Sequence, residues 1–165
     1  MTVELQVLPA KDDVIAEVAD RAVKLLARLS TERTRVDVCL TGGSVGIGIL
    51  AAMADHPEVG SMDVLRLHWW WGDDRFVPSD SDDRNEKQAR EALLGVIGVP
   101  EANINQLAAS DEDLTLDQAA LAATAEVEVA SPFALTFLGI GPDSHVASLF
   151  PGHPGTAVDK VGAIA

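Results

Sequence analysis

His145 stands two residues after Asp143 in residues 138–152, LGIGPDSHVASLFPG. Imidazole is the side chain that changes charge nearest neutrality, and a carboxylate two residues away can orient its ring, as a general base requires. Ahead of the pair, residues 133–138 and Ile140 form a β-prone run that Gly139, Gly141 and Pro142 end. This pattern predicts a buried strand delivering Asp143 and His145 to a sheet edge. In open α/β sheets ligands collect beyond the carboxyl ends of the strands, where loops converge and helix N-termini point outward. The same residues also suit a histidine that only caps a turn, and position alone does not choose between the two readings.

A second candidate is Thr41-Gly42-Gly43-Ser44, which follows the apolar run of residues 35–40 and precedes a helical stretch at 45–53. Glycine lets backbone approach a ligand, and free N–H groups at a helix start meet an anion, so the loop suits a phosphate. It matches neither GxGxxG nor GxxxxGK[ST], and an ordinary strand-to-helix turn with Ser44 as N-cap explains it equally well. Arg75 follows a third strand pattern, residues 65–71, within GDDRFVPSDSDDRN. A guanidinium there can grip a phosphate with two parallel hydrogen bonds or pair with the neighbouring Asp73, Asp74, Asp80, Asp82 and Asp83. That acidic cluster does not follow the calcium-loop pattern, and no His or Cys cluster has zinc spacing, so no metal is expected.

The elements that must position these loops follow from periodicity. Residues 3–8 alternate apolar and polar and predict a first strand. From Asp12 or Asp13, the residues Val14, Ile15, Val18, Ala22, Leu25, Leu26 and Leu29 recur at helical spacing behind an acidic first turn. Trp69, Trp70 and Trp71 cannot share one face of a strand, so the aromatic bulk must divide between two sides of the sheet. A helix is predicted over 83–97, a surface connection over 100–113 and an alanine-rich helix over 117–127. The order strand, helix, strand, helix, strand, helix, helix, strand predicts α/β architecture: an open, mainly parallel sheet flanked by helices, a Rossmann-like three-layer sandwich.

The 165 residues suit one domain, 1–165, and their 47% hydrophobic content argues for a packed core. A net charge of -14 excludes nucleic-acid binding as a natural reading, because that requires clustered Lys and Arg. The same field opposes an anionic small molecule unless local cations overcome it. Cys39 is the only cysteine, so no internal disulfide forms; it reads as a core residue, with a reactive thiol the lesser alternative. Neither a signal-peptide pattern nor a membrane-spanning apolar run is seen, and a cytoplasmic protein with no membrane partner is the expectation.

In their order and content, the blocks TGGS (41–44), WGDDRFVPSDSDDRN (71–85) and LGIGPDSHVASLFPG (138–152) resemble those of the 6-phosphogluconolactonases, in the superfamily that includes glucosamine-6-phosphate deaminase. The resemblance runs from the first strand pattern to Gly152. It implies cofactor-free hydrolysis of 6-phosphoglucono-δ-lactone to 6-phosphogluconate. It assigns His145 as general base, Asp143 as its neighbouring carboxylate and Arg75 as the phosphate-holding arginine. Gly42, Gly43 and Ser44 become the phosphate-side loop, and Asp73 and Asn85 join the substrate-binding residues. A δ-lactone is already activated, and no G-x-S-x-G nucleophile elbow is present. Ser148 reads as a helix-packing or locally bonded serine.

Two departures carry expectations. Where the family has Asp-Gly-His this chain has Asp143-Ser144-His145, and a positive φ would cost serine on the order of 1 kcal/mol relative to glycine, with displacement of His145 as one result. Family members also extend well beyond the length seen here, so the chain is expected to lack C-terminal strands, leaving an open sheet edge through which copies can associate. Two alternatives accompany the lactonase reading: a sugar-phosphate-binding domain without turnover, and an amino-sugar-phosphate isomerase or deaminase.

Overall fold

In this computed structural model, residues 3–130, 132–159 and 162–165 are described. Helix α1 (Lys11–Glu32) leads into strand β1 (Val36–Leu40), helix α2 (Gly43–Ala54) and strand β2 (Leu67–Trp71). Helix α3 (Asn85–Ala89) continues as a π-turn over Arg90–Leu94. Strand β3 (Ile104–Asn105), helix α4 (Leu116–Val129) and strand β4 (Leu135–Thr136) follow. The strands form one parallel sheet in the order β3-β2-β1-β4. The fold is α/β, with a parallel sheet flanked by helices.

The core lies on one face of the sheet. Val36, Val38 and Leu40 of β1 join Leu67, Trp69 and Trp71 of β2 in a cluster with Leu26 of α1, Leu50 and Met53 of α2, and Leu93 and Leu94 of the π-turn. All five β1 residues are buried, because a central parallel strand is covered on both faces. The three tryptophans divide as the period of two requires. Trp70 faces away from the cluster, where its Nε1–H donates to Asp37 Oδ1 at 2.9 Å and its ring meets Phe133 edge-on at 6.0 Å. Arg35 offsets the charge of buried Asp37 with a two-pronged contact, Nη2 to Oδ1 at 2.8 Å and Nε to Oδ2 at 3.0 Å.

Three expectations need correcting. Residues 3–8 are irregular rather than a strand, with Val3, Leu5 and Val7 each more than 80% exposed (87%, 86% and 82%). Alternation specifies which face of a strand would be apolar but supplies no partner, and among the described residues no strand lies beside them. The connection at 100–113 contains β3, which pairs with β2 and is held by asparagines: Asn103 Nδ2 donates to the carbonyls of Val64, Leu65 and Leu67, and Asn105 Nδ2 to that of Trp69. Of the run at 133–140 only Leu135–Thr136 form a strand, and among the described residues it lies at the edge of the sheet rather than buried within it. Only Leu135 and Thr136 pair with β1, and Leu138 and Ile140 are 60% and 78% exposed. The helix at 116–129 begins with a reciprocal Thr115–Gln118 capping box.

One buried ion pair ties β2 to the segment after β3. Arg84 and Asp74 have side chains 1% exposed and approach to 3.5 Å. The guanidinium also donates to the carbonyls of Arg75 (3.2 Å), Ala108 (3.1 Å) and Leu107 (2.6 Å). Asp74 accepts the N–H groups of Arg75, Asn85 and Glu86, so it anchors its own loop and caps α3.

Replacing Arg84 with alanine leaves Asp74 and three carbonyls without their cation, and the expected loss is about 3–5 kcal/mol in urea unfolding; a change below about 1 kcal/mol contradicts the tie. Burial, with Asp73 adding to it, pushes the Cys39 thiol up to about 11. Native protein at pH 8 therefore resists alkylation at Cys39 until unfolded, and rapid native labelling counts against the buried placement.

Candidate active site

The loops after β1, β2 and β4 meet at the carboxyl ends of their strands around a cleft of about 570 Å3. Thr41, Gly42 and Gly43 enter from β1, Asp73 and Arg75 from β2, Asn85 from the start of α3, and residues 139–141, His145, Ala147, Ser148 and Phe150 from beyond β4. Parallel strands end on one side, so three loops far apart in sequence reach one site.

Asp143 Oδ1 lies 2.5 Å from His145 Nδ1, and the His145 backbone N–H also donates to it at 3.4 Å. Its hydrogen bond to His145 holds the Asp143 carboxyl below the usual carboxylate range. A carboxylate at Nδ1 selects the tautomer with hydrogen on that nitrogen, leaving Nε2 with a free lone pair. The ring tilts against Phe150, centroids 4.6 Å apart. Gly141 makes room for it: a Cβ there would fall 2.1 Å from His145 Cε1. Ser144 has φ 72°, the left-handed conformation in which serine is strained, and His145 nevertheless keeps its contact with Asp143. Ala147 (φ 49°) and Ser148 (φ 60°) share that conformation.

In the same cleft Arg75 is exposed and, among the described residues, makes no side-chain hydrogen bond or ion pair. Three of its acidic neighbours have other partners: Asp74 pairs with Arg84, Asp82 with Lys87, and Asp73 accepts the Ser148 hydroxyl. Asn85 Nδ2 donates to Asp73 O at 3.0 Å, and its side chain lies against Gly42, where a Cβ would come within 1.9 Å of Oδ1. That approach fits glycine alone.

Of the residues singled out from sequence, His145, Gly42, Gly43, Arg75, Asp73 and Asn85 line the cleft. Asp143 stands behind the imidazole. Ser44 is outside the lining and is not the N-cap of α2; Gly42 takes that position without a side-chain bond, and Ser44 Oγ accepts from Lys11 Nζ at 2.9 Å. Ser148 is neither packed in a helix nor bonded locally; it reaches Asp73 across the sheet edge. Phe150 and Arg84 have no place among the residues expected from sequence, and Thr41 enters there only as the first residue of the 41–44 loop. The strand end immediately before Gly42 was a signal for Thr41, whereas the folded routes of Phe150 and Arg84 have no local signature.

Residues 9–165 match the family model described as glucosamine-6-phosphate isomerases/6-phosphogluconolactonase. The 6-phosphogluconolactonase of Streptomyces coelicolor is 38% identical over 93% of this chain and 63% of its own length. That of Mycobacterium tuberculosis is 35% identical over 93% of this chain and 65% of its own length. The chain thus spans less than two thirds of these relatives. Among solved structures, devB protein superposes with a TM-score of 0.78 at 28% identity, covering 97% of this chain and 67% of that one. The Thermotoga maritima 6-phosphogluconolactonase does so with 0.72 at 28% identity, over 83% and 60%. By the extent of the family match and the identity to these relatives, the chain belongs to the glucosamine-6-phosphate isomerase/6-phosphogluconolactonase family.

Proposed function

We propose that this chain carries the lactone-hydrolysing site of a 6-phosphogluconolactonase, converting 6-phosphoglucono-1,5-lactone to 6-phosphogluconate. The observation that carries the reading is a carboxylate-oriented imidazole and an arginine without a side-chain partner among the described residues, lining one cleft with a glycine loop beside them. A cleft of about 570 Å3 suits a phosphorylated sugar ring.

His145 Nε2 takes a proton from water as the water oxygen attacks the C1 carbonyl. The tetrahedral intermediate then collapses, the C1–ring-oxygen bond breaks, and the imidazolium returns a proton to the departing oxygen. Asp143 keeps the ring oriented through its contact with Nδ1. The substrate phosphate lies toward Arg75 and the Gly42–Gly43 backbone, far enough from C1 that its binding contributes positioning rather than bond chemistry. In a chain of net charge -14 that local cation offsets the opposing field. This route uses no covalent enzyme intermediate and no cofactor.

Acid release from 6-phosphogluconolactone above its spontaneous hydrolysis should fall about 10²–10⁴-fold in kcat for His145→Ala. Gly141→Ala should move the same way with the fold retained, because the added methyl occupies the ring's place. Turnover at the unmodified rate in His145→Ala sinks the mechanism. For Arg75→Lys, which loses the two-pronged phosphate grip, KM for the phosphorylated lactone should rise about tenfold. Hydrolysis of unphosphorylated gluconolactone should stay as it was, and an equal loss on both substrates removes Arg75 from the phosphate end.

A further inference from the structure

The segment that carries His145 has little else to hold it. β4 pairs through two residues, Leu138 and Ile140 beyond it are exposed, and Ser144, Ala147 and Ser148 adopt left-handed backbone angles that non-glycine residues avoid. Such conformations persist only where surrounding contacts over-determine them. Among the described residues, the hydrogen bonds of residues 138–150 close locally, from Gly141 N–H to His145 O at one end to His153 N–H to Phe150 O at the other, with a single exception. That exception is the Ser148 hydroxyl, which donates to the Asp73 carboxylate.

Asp73 is a firm anchor. Its backbone carbonyl receives Asn85 Nδ2, and the next residue, Asp74, is locked to buried Arg84 and to three backbone N–H groups. The two loops also abut beside the bond: a methyl placed on Gly72 would lie 3.7 Å from Ala147 Cβ. A contact that joins the loop of the proton acceptor to the loop of the arginine sets the span between them, which a substrate gripped at both ends must match.

We propose that Ser148 is a positioning residue whose bond to Asp73 latches the β4 loop onto the β2 loop and so fixes His145 at its working distance from the anion-binding end. The proposal rests on the lactonase reading, with His145 as the proton acceptor. Asp73 is thereby occupied by protein, so a substrate hydroxyl that reaches it shares the carboxylate with Ser148.

The test combines steady-state hydrolysis of 6-phosphogluconolactone with backbone amide exchange over 141–149, on the full chain and on Ser148→Ala, Ser148→Gly and Ser148→Asn. Asparagine tolerates the left-handed angle and carries a donor, whereas glycine relieves strain without one. Alanine and glycine should both lower kcat about tenfold, with KM within about twofold, and speed exchange in the loop. Asparagine should recover most of both losses. Wild-type kcat and unchanged exchange in Ser148→Ala, in a protein where His145→Ala abolishes turnover, overturn the latch and leave the lactonase reading standing. If the unmodified chain hydrolyses nothing, the lactonase reading fails, and exchange alone judges the latch: unchanged rates in Ser148→Ala overturn it, and faster rates uphold the contact.

Discussion

The buried contact between Asp74 and Arg84 is the constraint on which the rest of the site depends. Taking a carboxylate and a guanidinium out of water is costly, and mutual attraction alone rarely compensates. Here the remaining valences are met by backbone: three N–H groups on the carboxylate and three carbonyls on the guanidinium, with Arg84 Nε the one buried nitrogen left over. A lysine could not make those contacts, because the planar fork reaches several carbonyls at once. The pair fixes the turn on which Asp73 and Arg75 sit and the start of α3 that carries Asn85.

From that anchor a chain of contacts extends through the cleft. Asp73 offers its carbonyl to Asn85 and its carboxylate to Ser148, so the rigid β2 loop organises both the glycine turn after β1 and the strained loop after β4. Asn85 closes on Gly42, and His145 sits in the gap left by Gly141. Both glycines matter for the atom they lack. Asp74 and Asp82 of the β2 loop are paired with Arg84 and Lys87 rather than with Arg75, which is how an acidic chain can present a cation to an anion.

The His145 loop shows why local rules and global fit can disagree. Serine at position 144 is unfavourable in the left-handed conformation, yet φ is 72° and the Asp143–His145 contact is made. The energy that opposes it is small, of order 1 kcal/mol, compared with what a hydrogen-bonded turn and a packed aromatic ring can offset. Phe150 supplies that ring contact, and it could not be foreseen because its approach to His145 depends on a turn made of three unusual backbone angles.

The amino-acid sequence by itself determined the helix and strand periods of α1, β1, α2 and β2, the two-sided division of the tryptophans and the loops that hold His145, Asp143, Arg75, Gly42 and Gly43. Those are local properties, set by side-chain spacing, glycine placement and the chemistry of individual residue types. Whether an alternating run becomes a strand was decided by the presence of a neighbour, which residues 3–8 lack among the described residues and Ile104–Asn105 possess. The partners of Ser44, Ser148 and Arg84 were likewise settled in three dimensions. Arg84 lies 23 and 24 residues from the carbonyls of Leu107 and Ala108, and Ser148 lies 75 residues from Asp73. Hydrogen bonds of that reach depend on how strands are ordered in the sheet, and strand order is a property of the whole packed chain.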